Sequence, residues 1–160
     1  MTSRVLLVGE DNPLSIEPDF ALYCYPPGCA GYRLRRILGL PQQQYLALHR
    51  TNLCVGGWSK DQAKKRAFEL LSPAAPWRVI ILLGRKVTET FEKVALDDAP
   101  LIAFSTRVCC PGMTLVSLPH PSGRNAALWN PKARDRARQM MRELVPELPW
   151  GSIDGEEAAA

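Results

Sequence analysis

Three short hydrophobic runs constrain the fold of this 160-residue chain more than any other feature of its sequence. They are Val5–Val8, Val79–Leu83 and Thr114–Leu118. Runs of this length are typical of strands buried on both faces of a parallel sheet. Segments with helical periodicity separate them, and this alternation predicts helices on both sides of the sheet. We therefore expect an α/β fold: a single three-layer α/β/α domain around a central, mainly parallel, four-stranded sheet.

Local signals place the individual elements along the chain. Strands are predicted at Arg4–Val8, Thr51–Val55, Arg78–Leu83, Leu101–Phe104 and Thr114–Leu118, of which the central sheet is expected to use four. Helices are predicted from about Tyr32 to Gly39, at Pro41–Leu48, from Ser59 to about Leu71, after the strand that ends at Leu83 and through Phe91, and from Asn130 onward. Gly39 is expected to be a C-cap, and Ser59 and Asn130 are expected to be N-caps. The arginines of the last helix, including Arg138, are predicted to form a solvated face.

Composition indicates an ordinary globular domain with few special requirements. Hydrophobic residues make up 46% and charged residues 22% of the sequence, and no apolar run approaches the ~20 residues that span a bilayer. The amino terminus lacks a signal-type segment, so a cytoplasmic, membrane-free monomer is expected. Residues 1–150 are predicted to form the domain and residues 151–160 a disordered acidic tail. The five cysteines lack paired metal-binding spacing, so free thiols and no metal or cofactor are expected.

The net charge permits a polyanionic partner without requiring one. The chain carries a formal charge of +4, and its last ten residues contribute three carboxylates and no basic side chain. Positive charge is therefore concentrated in residues 1–150. A basic balance suits nucleic acid, but it is equally compatible with an ordinary soluble surface.

The first candidate site loop follows the last hydrophobic run. Leu118-Pro119-His120-Pro121-Ser122-Gly123-Arg124-Asn125 places a histidine between two prolines that exclude regular helix or sheet. A polar loop of this kind at the carboxyl end of a strand is where open α/β sheets bind ligands. A lone histidine between prolines can also have a purely structural role.

The second candidate loop follows the first strand. Gly9-Glu10-Asp11-Asn12-Pro13 offers a glycine for close backbone approach, then two carboxylates and an amide before a proline. If the two strands are parallel neighbours, an acid or amide faces His120 across a cleft. The alternative is that these polar residues only form an Asx turn.

The two loops together resemble those of the uracil-DNA glycosylase superfamily. The likeness lies in a Gly-x-x-Pro-like loop after the first strand and a His-Pro-Ser loop after a late strand, the latter closest to the single-strand-selective monofunctional and mismatch-specific branches. Pro27–Leu34 is similar to the family's Gly-x-Ala-Gly-x-x-Leu segment, Arg50–Leu53 to the segment carrying its pyrimidine-reading asparagine, and Val79–Gly84 to its central strand. The resemblance runs in family order from about residue 4 to about residue 145.

The resemblance implies roles for particular residues. His120 would stabilise the anion of the departing base, and one of Glu10, Asp11 and Asn12 would hold the attacking water; the first loop has one residue more than the family pattern, which leaves these three alternatives open. Base-binding positions are Gly9, Asn52 and the aromatic Tyr23 or Tyr25, which stand near the family's base-stacking phenylalanine. DNA-binding positions are Pro121, Ser122, Gly123, Arg124 and Asn125.

The function so implied is a monofunctional DNA glycosylase of base excision repair. Such a hydrolase flips a uracil or another deaminated base out of DNA and cleaves its N-glycosidic bond. The partner would be DNA that contains the damaged base, and no cofactor would be needed. Two alternatives stay open: a non-catalytic nucleic-acid or nucleotide-binding module on the same fold, and a hydrolase of free or modified nucleotides. Asn52 can also satisfy backbone groups, and the tyrosines can be packing residues.

Overall fold

The computed structural model describes residues 4–12, 15–110 and 112–154. Over these residues the strands are β1 Val5–Gly9, β2 His49–Asn52, β3 Val79–Leu83, β4 Ser105–Cys110 and β5 Met113–Leu118. The α-helices are α1 Ala30–Leu38, α2 Gln42–Leu46, α3 Lys60–Leu70, α4 Arg85–Ala95 and α5 Pro131–Leu144, with 3-10 helices at Pro18–Phe20 and Gly123–Trp129.

The strands form one mixed sheet in the order β2-β1-β3-β5-β4. Neighbouring strands from β2 to β5 pair in parallel, and β4 pairs antiparallel with β5 at the edge. The mainly parallel α/β/α architecture is thereby confirmed, but the described chain contributes five strands to this sheet rather than four. Both edges of the sheet are made by the less hydrophobic strands, β2 and β4, as expected for strands with one side open to solvent.

Two of the strands differ from the predictions by more than one residue at a boundary. The predicted strand Leu101–Phe104 is wrong, because β4 begins at Ser105 and Phe104 adopts a left-handed backbone with φ 61°. The prediction followed the apolar residues 101–104, whereas the edge strand β4 begins with the polar residues Ser105, Thr106 and Arg107. The strand predicted at Thr51–Val55 begins earlier, at His49, and ends at Asn52. Beyond its end, Leu53 N donates to Gly9 O and Cys54 N donates to Glu10 O, which continues the contact with β1 and the first loop.

Alternate residues of the central strands feed two cores, one on each face of the sheet. Val5, Leu7 and Ile81 point toward α1, α2 and α5, and their neighbours Leu6 and Ile80 point toward α3 and α4. All five are at most 2% exposed. Burial on this scale stabilises each large side chain by about 1.5–3 kcal/mol, so the two faces fix the register of the strands.

Local capping chemistry sets the ends of the helices as predicted. Ser59 Oγ accepts from Gln62 N at the start of α3, and Asn130 Oδ1 accepts from Ala133 N at 2.9 Å at the start of α5. Gly39 ends α1 with φ 68°, the left-handed conformation of a C-cap glycine. Helix α1 begins earlier than predicted, at Ala30, because the thiol of Cys29 caps it.

The end of the described chain packs on the domain, so the prediction of a tail from residue 151 is wrong for its first four residues. Gly151 N donates to Leu38 O at 3.0 Å, and Ile153 is buried. Residues 155–160 of the predicted tail lie outside the described residues.

Arg138 does not belong to a solvated face either. It is only 6% exposed, and its Nε and a terminal nitrogen donate to Ile37 O and Arg36 O at 2.8 and 2.9 Å. Another terminal nitrogen pairs with Asp154. The carbonyls at the end of a helix lack intrahelical partners and carry a partial negative charge, which explains why a cation is buried here.

Candidate active site

The candidate site lies at the carboxyl edge of the three central strands. The first loop leaves β1 after Gly9, and the histidine loop leaves β5 after Leu118. These strands are parallel but not neighbours, since β3 lies between them. Both loops still open on the same edge, as predicted, and they meet above Gly84, which follows β3.

Gly84 leaves the space in which the two loops meet. Its backbone has φ 95°, a conformation that L side chains rarely adopt. A Cβ at this position would lie 3.0 Å from His120 Cβ, 3.4 Å from His120 Cδ2 and 3.6 Å from Glu10 Oε1. The imidazole and the carboxylate therefore approach one another across a residue without a side chain.

Three hydrogen bonds fix the histidine loop. Ser122 N donates to His120 Nδ1 at 3.1 Å, while Asn125 Nδ2 and the indole nitrogen of Trp129 donate to His120 O at 3.1 and 3.4 Å. Because Nδ1 accepts a hydrogen bond, the proton of the neutral imidazole resides on Nε2. His120 thus offers an Nε2–H donor on a side chain that lines the cleft.

The electrostatic environment keeps His120 neutral. Partial burial lowers the pKa of the imidazole below its usual 6.5, and the carboxylates of Glu10 and Asp11 oppose this shift only in part. Burial penalises the charged form, which is the dominant effect here. The result is a neutral hydrogen-bond donor near two negative charges.

The three polar residues of the first loop have different surroundings. Glu10 faces His120 over Gly84, and all three line the same cleft. Asn12 Nδ2 donates to Phe20 O at 3.1 Å, which ties the first loop to the Pro18–Phe20 turn. The Glu10 carboxylate therefore faces the imidazole across Gly84, whereas the Asn12 amide is bound to the Phe20 carbonyl.

Asn52 joins the site from the end of β2. Its Cα pairs with Gly9 in the parallel register, and its Oδ1 lies 2.5 Å from where a Cβ on Gly9 would stand. A side chain at position 9 would therefore displace this amide from its position. The structure therefore brings Gly9 and Asn52 together, and Asn52 lines the same cleft as His120.

Aromatic rings form a further part of the cleft wall. Phe20 and Tyr23 pack edge to face with centroids 5.4 Å apart, and Tyr25 follows 6.2 Å from Tyr23. Tyr25 also donates from its hydroxyl to Gln42 Oε1 at 2.6 Å. Phe20, which is 46% exposed and lines the cleft, was not predicted from the sequence. The only sequence feature that could have indicated its role is the presence of an aromatic residue in the proline-rich segment that follows β1.

A cleft of about 950 Å³ connects these groups. Its described lining includes Glu10, Asp11, Asn12, Asn52, His120, Phe20, Tyr23 and Tyr25. Ligand sites in proteins are commonly clefts of roughly 300–1,000 Å³ that combine apolar walls with a few convergent polar groups. This cleft has both.

The remaining residues of the histidine loop lie outside the cleft lining. Pro121 and Ser122 instead line an adjacent pocket. Arg124 is exposed, and Gly123 lies beside the guanidinium of Arg33. Asn125 holds the loop through its bond to the His120 carbonyl. These positions thus divide into residues that shape the loop and residues open to a partner.

Within the described ranges, no cluster of three or more histidine, cysteine or acidic side chains is suited to hold a metal ion. Cys24, Cys29 and Cys54 are free thiols. None of the helices in the described part of the chain has the length and apolar character needed to cross a bilayer.

Comparisons with known proteins give no family for the chain. No protein-family model matches it, and no curated protein matches it significantly. The site has therefore to be interpreted from its own geometry.

Proposed function

We propose that this protein is a monofunctional DNA glycosylase that hydrolyses the N-glycosidic bond of uracil or another deaminated base. One observation carries the proposal: a neutral His120 and the Glu10 carboxylate converge over Gly84 in a cleft with an aromatic wall. Such a cleft can receive a flipped base, stack it and place a donor and a carboxylate on either side of the scissile bond.

The proposed reaction needs charge stabilisation at two places. When the bond between the base nitrogen and sugar C1′ breaks, its electron pair leaves with the base and the sugar becomes oxocarbenium-like. The Nε2–H of His120 would donate to the base oxygen on which negative charge develops. A preorganised donor of this kind contributes roughly 10²–10³-fold in rate.

Glu10 is the residue we assign to the water and the sugar cation. Its carboxylate would accept a hydrogen bond from the water, whose oxygen attacks C1′, and the water's proton passes to Glu10 and then to solvent. Of the three candidates, Glu10 is the one that faces His120, while Asn12 holds the Phe20 carbonyl. Asp11 adds negative charge near the cation.

Asn52 and the aromatic wall would select and hold the base. An amide offers both a donor and an acceptor, which suits the edge of a pyrimidine. Phe20 joins Tyr23 and Tyr25 as a candidate stacking surface. No lysine lines the described cleft, so the proposal includes no Schiff base and no strand cleavage.

The test is base release from labelled oligonucleotides that carry uracil, hypoxanthine, xanthine or a mismatched thymine, in single- and double-stranded form. We expect release of at least one base by the wild type, and a reduction of at least 10²-fold in His120→Ala and Glu10→Gln. Asn12→Ala is the matched control from the same loop and should retain more activity than Glu10→Gln.

Three outcomes would contradict the proposal. DNA binding without release from any substrate would favour a binding module, and release only from free nucleotides would favour a nucleotide hydrolase. Release that persists in His120→Ala would remove the residue on which the proposed chemistry depends.

A further inference from the structure

A second pocket of about 340 Å³ adjoins the candidate active site. Its floor is apolar, with Ile37, Pro121 and Trp129. Its rim carries Arg33 and Arg36 from α1 and Arg134 from the first turns of α5. The described lining contains three arginines and no carboxylate, so the pocket is suited to an anion.

The pocket and the cleft share a thin wall. In the segment directly before α1, Pro27 and Cys29 line the cleft whereas Gly28 lines the pocket. In the histidine loop, His120 lines the cleft and Pro121 lines the pocket. Consecutive residues of one backbone therefore separate the two cavities, which makes them neighbours.

All three arginines are exposed, and two of them have hydrogen-bond partners beside the pocket. Arg33 Nε donates to Gly28 O at 3.0 Å, and one of its terminal nitrogens lies 3.2 Å from where a Cβ on Gly123 would stand. Arg36 is placed by a 3.3 Å bond to the hydroxyl of Tyr32. Guanidinium groups positioned in this way match the geometry of phosphate oxygens.

We propose that the basic pocket formed by Arg33, Arg36 and Arg134 binds a backbone phosphate of the DNA strand beside the nucleotide whose base occupies the cleft. The inference rests on the proposed function for the identity of the strand. It adds that the substrate is a polynucleotide, because a phosphate beyond the target nucleotide is part of what is recognised. A phosphate could also come from a free nucleotide, and the experiment separates the two sources.

The experiment compares the double variant R33Q/R134Q with R4Q and the wild type. Arg4 is an exposed arginine just before β1, at the opposite edge of the sheet, so R4Q removes a matched positive charge. Circular dichroism and thermal unfolding establish that each variant is folded. Binding of an undamaged fluorescein-labelled single strand is then measured by anisotropy over a series of salt concentrations.

We expect R33Q/R134Q to bind the strand about tenfold more weakly or worse. Its slope of log K against log salt should be shallower by about 0.7 for each phosphate that the variant no longer neutralises. R4Q should resemble the wild type. Deoxyuridine and its 5′-monophosphate should compete with the strand equally well, since the pocket is expected to hold a phosphate that the monomer lacks.

Two results would overturn the pocket assignment. One is an affinity and salt slope of R33Q/R134Q equal to those of R4Q. The other is a monophosphate that competes better than the nucleoside in the wild type but not in R33Q/R134Q, which would assign the pocket to a terminal phosphate. Failure of the proposed function would appear separately, as absent base release by the wild type, while the binding measurement still decides the role of the pocket.

Discussion

Replacing Gly31 with alanine should destabilise the protein and distort the cleft. Gly31 lies in the first turn of α1 and is buried against the segment that forms the aromatic wall. A Cβ there would lie 2.2 Å from Tyr23 O, 2.3 Å from Leu22 O and 2.5 Å from Leu22 C. All three are backbone atoms, so no side-chain rotation can relieve the clash.

The magnitude follows from opposing contributions. Overpacking costs typically about 1–3 kcal/mol. Movement of the Leu22–Tyr23 backbone would also weaken two hydrogen bonds, from Tyr45 Oη to Leu22 O at 2.7 Å and from Cys29 Sγ to Tyr23 O at 3.3 Å. Each of these bonds contributes about 1 kcal/mol at most to the free energy of unfolding. Alanine regains roughly 0.5–1 kcal/mol of helix propensity over glycine. The expected net destabilisation is about 2 kcal/mol.

Urea denaturation followed by circular dichroism measures this change, and a thermal midpoint about 4–8 °C lower should accompany it. Gly123→Ala is the matched control, because the nearest atom to its added Cβ is the flexible end of Arg33 at 3.2 Å. That variant should remain within about 0.5 kcal/mol of the wild type. A Gly31→Ala protein as stable as the wild type would refute the packing described for α1.

Three further predictions concern the histidine, a buried arginine and a buried hydroxyl. Because burial holds the pKa of His120 below 6.5, the acid limb of the proposed base release should have its midpoint below pH 6.5, where the imidazole gains a proton and Nδ1 can no longer accept the bond from Ser122 N; a pH profile with its acid limb centred at or above 6.5 would contradict this. Arg138→Met should cost about 1–3 kcal/mol in urea denaturation because Ile37 O loses its charged donor, whereas Asp154→Asn should cost less than about 1 kcal/mol since that carboxylate is 59% exposed; equal costs would mean that the ion pair dominates. Tyr45→Phe should cost about 1 kcal/mol because its bond to Leu22 O is removed, and an unchanged unfolding free energy would show that this bond contributes nothing net.

Features encoded by neighbouring residues could be predicted from the sequence. The caps at Ser59, Gly39 and Asn130 depend on side chains and backbone conformations within a few residues, and all three are confirmed. The apolar runs that became β1, β3 and β5 identify themselves because strands buried on both faces need no polar alternation. Parallel direction then brings Glu10 and His120 to one edge.

Features set by distant segments could not be predicted in the same way. Arg138 is buried because it donates to the carbonyls of Arg36 and Ile37, about a hundred residues earlier in the chain, and nothing in the pattern of α5 indicates this. Phe20 reaches the cleft through the path of a long loop that the Asn12 amide and the Tyr45 hydroxyl help to fix. The interposition of β3 between β1 and β5 is likewise a property of strand order, which local periodicity does not encode.

That interposition makes the candidate site depend on a residue with no functional group. Strands in a sheet are about 4.7–4.9 Å apart, so Glu10 and His120 must reach toward each other across nearly two strand spacings. They approach each other over Gly84, which has no side chain to occupy the space between them. A change at this one position would therefore abolish the proposed activity while every side chain assigned to it remained in the protein, and a comparison of related chains that scored only acids, amides and histidines would overlook the change.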